Sequence, residues 1–462
     1  IASCLVGSEM CIRDRAFNDQ VTMALHVSDH VVCPAHAMDG YFSSDDRVPY
    51  ITQIMTPSAS AQHLLALCDD ARILLFDKTQ LAAPCDTIRA PEEEAFTALS
   101  NIESNDNAWM GTSVSGYVAV WDARAPTIEP QMRLTGPSKS PYLSVASNGM
   151  YVATGTELKG SDAMIDVWDL RQTSTPVHTY SEVHSDDITS LVFHPDRTQH
   201  ANILLSGGMD GLICATDTSI KTEEDAVVSV GNTNASLARV GWAAYPTSYC
   251  FTPSVPVADV DMDDHDQQLV SNERWHHLGP VYAISNMQTL SLWDADKFDC
   301  IKEGVEVRKP TSFRPPWVTD YVIDACASGP LSQRPAQGPS MHMYMGDQEG
   351  GMALVSAEAQ DHDGIVMEWT MHARLPSTEN HPKAHADIVR CVEWDEASRR
   401  LYTGGEDGRL LAWSFETSDS PVTPQAVMNT STSSIETPPA KPATRPRPTG
   451  HDTLKRRYSP YA

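Results

Sequence analysis

Two stretches of the chain repeat one pattern of hydrogen-bonding side chains. His184, Ser206 and Asp210 fall in HSDDITSLVFHPDRTQHANILLSGGMDG, and His385, Thr403 and Asp407 fall in HADIVRCVEWDEASRRLYTGGEDG. Imidazole, hydroxyl and carboxylate are the groups from which a proton relay can be built, so catalytic motifs are the first thing to test. The nearest approach to a nucleophile elbow is GTSVSG, where Ser113 needs glycine at position 115 and finds Ser115. No P-loop, dinucleotide fingerprint or H-E-x-x-H is present. His381 and His385 in HPKAH have the spacing of a helical metal pair, but Pro382 interrupts any helix there. Asp259, Asp261, Asp263, Asp264 and Asp266 suggest a calcium loop at first sight. Counted from Asp259, however, Asp264 stands where glycine is needed and Val270 where the bidentate Glu belongs. No catalytic residue, metal site or cofactor is therefore expected.

What the two stretches share is a strand arrangement. In each, His precedes an alternating apolar run, the hydroxyl lies four residues before the Asp, and the Asp lies six before the last strand position, Thr216 or Trp413. Weaker copies end at Phe76-Asp77, Trp121-Asp122, Trp168-Asp169 and Trp293-Asp294, and a bare strand, MALVS, runs from Met352 to Ser356. Asp70 and Asp162 keep the six-residue offset, whereas Ser115 and Met287 occupy that position in two other copies. The endings at Phe76, Trp121, Trp168 and Thr216 are 45 to 48 residues apart, close to the ~40–45 of one four-stranded propeller blade.

These residues resemble the WD-repeat family. The resemblance implies an all-β fold, a seven-bladed WD-repeat β-propeller over 21–416, and the polar, Pro-rich composition of 417–462 points to a disordered C-terminal tail. The resemblance also implies that the alternating VTMALHVSDHVV of Val21–Val32 supplies the outermost strand of the last blade. In the family, His, Ser/Thr, Asp and Trp form a buried hydrogen-bond chain within a blade. His385, Thr403, Asp407 and Trp413 would form one, and His184, Ser206 and Asp210 another with Thr216 at the Trp position. On that reading these groups are scaffold and not catalysts. Within the family the chain is similar to the WD repeat-containing protein 89 group, through GTELKGSDA (from Gly155), HSDDIT (from His184), SGGMDGL (from Ser206), EEDA (from Glu223) and TGGEDGRLLAW (from Thr403). The implied use is protein interaction at the narrower face, with Thr189, Met209, Arg390 and Glu406 as partner-binding rim residues. Arg390 is the sharpest of them, since its guanidinium suits a carboxylate or phosphate.

Composition bounds the rest. The net charge is −28, and no run approaches the ~18 apolar residues of a spanning helix, so no membrane partner is expected. Ten cysteines include no C-x-x-C pair, which fits reduced strand cysteines and an intracellular, cytoplasmic or nuclear location. CLVGSEMCIRDR, Cys4 to Arg15, reads as a sequencing-adapter read-through, and residues 1–15 are set aside. Two inserts break the repeat: the acidic 252–278 and the Pro/Gly/Ser-rich 328–340. The Ser/Thr/Pro-rich tail is net basic, and its Lys455, Arg456 and Arg457 have the composition of a nuclear-import cluster. The leading expectation is a non-enzymatic scaffold for a protein or peptide, with no direct nucleic-acid contact. The alternative is an acidic chaperone for a basic client such as a ribosomal protein or histone.

Overall fold

The computed structural model describes residues 48–57, 62–90, 95–103, 105, 107–125, 129–245, 278–308, 319–327, 338–361 and 365–415, together with the backbone of 25–32. Strand β1 (Leu25–Val32) comes first. Blade 1 follows as β2 (Ile51–Met55), β3 (His63–Cys68), β4 (Arg72–Asp77) and β5 (Asp86–Arg89). Blade 2 is β6 (Phe96–Asn101), β7 (Ala108–Ser113), β8 (Tyr117–Asp122) and β9 (Met132–Thr135). Blade 3 is β10 (Tyr142–Ser147), β11 (Tyr151–Thr156), β12 (Ala163–Asp169) and β13 (His178–His184). Blade 4 is β14 (Ile188–Phe193), β15 (Ile203–Gly208), β16 (Leu212–Asp217) and β17 (Val227–Asn232). Blade 5 is β18 (Leu237–Trp242), β19 (Pro280–Ser285), β20 (Thr289–Asp294) and β21 (Asp299–Glu306). Blade 6 is β22 (Tyr321–Cys326), β23 (Ser340–Gly346), β24 (Met352–Asp361) and β25 (Ile365–Leu375). Blade 7 is β26 (Val389–Asp395), β27 (Arg400–Gly405) and β28 (Leu410–Phe415), completed by β1.

All seven sheets are antiparallel and four-stranded, and the first strands touch in a closed circuit, β2 to β6, β10, β14, β18, β22, β26 and back to β2. The result is a seven-bladed propeller. Its burial follows from the geometry. Second strands lie between two neighbouring blades, so β7, β15 and β19 are buried at every residue and read as continuous apolar or small-residue runs. The outer strand β5 is open to solvent, with Ile88 its one buried residue. Apolar clusters sit between sheets: Leu65, Leu67 and Ile73 of blade 1, for example, pack on Trp109, Tyr117 and Trp121 of blade 2.

The ring closes as the N-terminal alternation predicts. β1 pairs antiparallel with β28, Leu25 opposite Phe415 and Val32 opposite Leu410, with a register shift between Val27 and Val31. Polar latches join the innermost strands. Gln53 Nε2 donates to the Leu99 carbonyl (2.9 Å), Ser144 Oγ to that of Ile188 (2.8 Å) and Thr189 Oγ1 to that of Leu237 (2.8 Å). Arg239 pairs with Asp324 (2.7 Å), and Tyr321 Oη accepts from the Val389 N–H (2.9 Å). Between blades 7 and 1, Lys78 Nζ meets Asp395 Oδ2 at 2.8 Å, with their side chains 9% and 2% exposed.

Several boundaries differ from the sequence reading. Leu278 is not insert: it is buried against blade 5, and its carbonyl sits 2.9 Å from His194 Nε2. Ser340 already begins β23, and the strand at MALVS runs on to Asp361, paired along its length with β25. The Asp cluster 259–266, most of the acidic insert and most of the Pro/Gly insert lie outside the described residues. The chain divides into Ile1–Glu416 and Thr417–Ala462; the second stretch, with Lys455, Arg456 and Arg457, is also outside them.

Candidate functional site

The repeated His, hydroxyl and Asp meet in blades 4 and 7. His385 Nε2 lies 2.8 Å from Thr403 Oγ1, which also accepts from Trp413 Nε1 at 2.8 Å, and His385 Nδ1 lies 3.1 Å from both Asp407 oxygens. Asp407 further accepts from the N–H of Ala386 and of Arg409, each at 3.0 Å. In blade 4, His184 Nε2 lies 2.8 Å from Ser206 Oγ and Nδ1 3.2 Å from Asp210, which also accepts from the N–H of Ser185 and Leu212. The chain ends differently there. Thr216 stands where blade 7 has Trp413, and its buried hydroxyl makes no bond to the network.

Sequence dictates this closeness through a glycine before each turn. A Cβ on Gly405 would sit 3.1 Å from both His385 Nδ1 and Asp407 Oδ1, and one on Gly208 2.8 Å from His184 Nδ1. A larger residue would have to push aside the Ile388 carbonyl, 2.8 Å away, at Gly405, and the Asp210 carboxylate and the imidazole at Gly208. Burial pushes the Asp210 and Asp407 carboxyls upward, but the His hydrogen bonds, the imidazole charge and the backbone N–H donors outweigh it, and both end below the ordinary range. Both rings are essentially inaccessible, His385 at 0%. A group without a path to substrate cannot act on one, so the arrangement ties each preceding loop to its turn.

The weaker copies are held otherwise. In blade 1 the predicted turn residue Asp70 pairs with Arg72, and it is Asp69 that accepts from the Tyr50 N–H at 2.9 Å. In blade 3 the turn spans six residues, 157–162, and Asp162 bridges to Lys159 instead of meeting an imidazole. The Trp168 indole N–H finds no partner among the described residues, whereas that of Trp293 donates to Ser291 Oγ at 2.9 Å. Blade 3 instead has a network the sequence reading missed: Asp166, fully buried, accepts from Tyr142 Oη and Thr179 Oγ1, both at 2.6 Å. A carboxylate inside the apolar strand AMIDVWD was the available signal, since a buried carboxylate must find donors.

The rim residues fare unequally. In blade 4, Ile188 opens β14 opposite Gly208 and Leu212 opens β16 opposite Asn232, so second-to-third-strand turns and interblade loops share one rim. Arg390 and Glu406 do come together there, but with each other: Arg390 Nε donates to Glu406 Oε1 at 2.7 Å. The expected partner-seeking guanidinium is already paired within its own blade. Thr189 is also committed, its hydroxyl lying 2.8 Å from the Leu237 carbonyl and 3.2 Å from that of Gly207. Met209 remains, 38% exposed on its turn, and Met287 on the corresponding turn of blade 5 is 67% exposed. Ser236 joins the two turns: its hydroxyl donates to the Met209 carbonyl (2.7 Å), and its own carbonyl accepts from the Asn286 N–H (2.9 Å).

Two carboxylates on the innermost strands were not singled out by sequence. Burial pushes Asp324 up, against the Arg239 charge, and burial likewise pushes Glu393 up to about 7, although the Thr56 N–H bonds its Oε1 at 2.9 Å. For Glu393 the sign runs opposite to the usual carboxylate. The folded chain holds its proton between the unfolded value, about 4.3, and about 7, so ionisation over that window works against folding. Glu393→Gln, which keeps an acceptor for Thr56, is expected to flatten the decline in melting temperature between pH 5 and pH 8. A decline of unchanged slope would assign it to other groups. Among the described residues no group of three or more His, Cys, Asp or Glu could hold a metal.

Comparison with known proteins agrees with this geometry. The family model for the WD domain, G-beta repeat, matches residues 174–217 and 377–414, the two stretches that carry the His networks. A Saccharomyces cerevisiae protein described as an uncharacterised WD repeat-containing protein is 28% identical over 305 residues, 64% of this chain and 61% of its own length. A Schizosaccharomyces pombe protein of the same description is 32% identical over 332 residues, 69% of this chain and 84% of the relative. The WD repeat-containing protein 89 homolog of Dictyostelium discoideum is 24% identical over 403 residues, 86% of this chain and 90% of the relative. The match thus spans about three fifths of the budding-yeast relative and most of the other two.

Proposed function

The chain belongs to the WD-repeat family, and from that premise we propose that it is a non-enzymatic scaffold that binds a protein or peptide where the rims of blades 4 and 5 meet. WD-repeat propellers generally serve as protein-interaction scaffolds. The observation that carries the location is the pair of exposed methionines, Met209 and Met287, on turns tied together through Ser236. A single exposed apolar side chain is ordinary, but two on adjoining turns of one rim make a small adaptable patch, and the thioether packs against varied partners. Arg390 and Glu406 contribute fixed, mutually neutralised edges and not a charge that selects the ligand.

Met209→Glu combined with Met287→Glu is expected to lower recovery of a captured partner at least about tenfold, or 1.4 kcal/mol, with the melting temperature unchanged. Arg390→Ala, which removes a partly exposed pair, is expected to cost no more than about 1 kcal/mol in stability and to leave capture intact. Undiminished capture by the double variant would refute the rim assignment. The formal charge of −28 favours a second reading, the escort of a basic client. A partner released by moderate salt alone and indifferent to the Met changes would support that reading, because such attraction decays over ~8 Å at physiological ionic strength.

A further inference from the structure

The connection between β16 and β17 carries a motif that the methionine rim does not use. Residues 221–226 read KTEEDA, and no other Ser or Thr of the chain is followed directly by three carboxylates. Thr222 is exposed and lies in extended backbone, φ −76° and ψ 121°. Its carbonyl starts the single helical turn Glu223–Ala226, accepting from the N–H of Asp225 (3.2 Å) and of Ala226 (2.9 Å), but its hydroxyl makes no cap hydrogen bond. Glu224 and Asp225 are exposed as well. Glu223 is engaged: its carboxylate accepts from the N–H of Ser181 (2.9 Å) and of Glu182 (2.6 Å) in β13. Those two amides fall inside the register shift between β12 and β13, so blade 4 clasps the outer strand of blade 3 where its ladder is interrupted.

A protein kinase brings a hydroxyl in line with the γ-phosphate of ATP and selects its substrate by the charges around that hydroxyl. Carboxylates at the three following positions suit a kinase whose substrate groove is basic. Ser185, followed by Asp186 and Asp187, is the nearest rival, but its N–H is bonded to Asp210, and Asp187 holds the Leu158 N–H at 2.7 Å. The turn after Thr222 rests on two backbone bonds and the Glu223 clasp, few enough for it to open locally. We propose that Thr222 is phosphorylated by an acid-directed protein kinase, and that the phosphate loosens Glu223 from the outer strand of blade 3. Thr222 Oγ1 attacks the γ-phosphorus of ATP and forms the new O–P bond. The bond to the β–γ bridging oxygen breaks, ADP departs, and the hydroxyl proton passes to the base of the kinase. The phosphate brings a charge of about −1.5 to −2 next to the Glu223 carboxylate, and repulsion between them works against its two N–H bonds. Thr216 pairs with Val227 beside this turn, which places it at the rim opposite the methionines.

The test incubates the full chain with ATP and casein kinase II, an acid-directed enzyme, and maps the phosphate by mass spectrometry. A phosphate on Thr222 is expected, lost in Thr222→Val and restored in Thr222→Ser. Glu224→Lys combined with Asp225→Lys, both at exposed positions, should slow its formation at least about tenfold, with melting temperatures checking that each variant folds. Amide hydrogen exchange at Ser181 and Glu182 should quicken roughly tenfold or more in the phosphorylated chain, because each is protected by a bond to a charged acceptor. Glu223→Ala should give the same quickening without phosphate. No phosphate on Thr222, or equal rates in the double Lys variant, overturns the assignment of the site. Unchanged exchange at the two amides in the phosphorylated chain overturns the loosening.

Discussion

Lys78→Met is expected to destabilise the ring by about 3–5 kcal/mol, the cost of leaving one member of a buried ion pair unpaired. The side chain of Asp395, its partner at 2.8 Å, is 2% exposed and would keep, among the described residues, the Ser398 hydroxyl and the Ala397 N–H. Set against a total stability of about 5–15 kcal/mol, such a loss should be plain in urea unfolding at pH 7. The seam explains why the pair matters. Blades 7 and 1 are far apart in sequence, and Lys78 at the end of β4 reaches the end of β26, where the Thr56 N–H to Glu393 and the Arg400 guanidinium to the Lys78 carbonyl also cross. Combining Lys78→Met with Asp395→Leu should recover much of the loss, because two apolar groups leave no stranded charge. A single variant within about 1 kcal/mol of the parent would show that this pair does not hold the seam.

Asp407→Ala is expected to cost about 1–3 kcal/mol, since it leaves the buried His385 imidazole, the Ala386 N–H of the preceding loop and the Arg409 N–H of the turn without their acceptor. The penalty should depend on pH. The folded carboxyl is held below its unfolded range, so its contribution is present above about pH 4 and disappears as pH falls through the folded value. Parent and variant melting curves should therefore be well separated at neutral pH and draw together in acid. Asp210→Ala should behave alike in blade 4, whose network lacks the Trp donor. A separation constant from pH 7 into acid would mean that the loss came from packing and not from the carboxylate.

How much was legible depended on the type of constraint. The blade repeat shows in the sequence because a strand between two sheets must be apolar on both faces and the turn beside His385 must carry Gly405 and Asp407; both leave a fixed spacing. The closing strand was legible for the same reason, as an alternation left over at the N-terminus. Interblade chemistry was not. Lys78 and Asp395 lie 317 positions apart, and no local pattern announces such a pair. Arg390 looks like a ligand-binding cation on sequence grounds because Glu406 is sixteen residues away and comes into hydrogen-bonding range only once the hairpin forms. Met287 was passed over as a missing turn Asp, although exposure on a rim gives it another meaning.

Photocrosslinking from within the rim tests the interaction account most directly. A p-benzoylphenylalanine placed at Met287 lies on the rim shared with Met209, whereas the same group at Met150, 40% exposed on the turn between β10 and β11, lies at the opposite rim. The account predicts a discrete covalent adduct with a cellular protein from position 287 and from position 209, and none above background from position 150. Adducts from position 150 alone, or equally from all three, would contradict it.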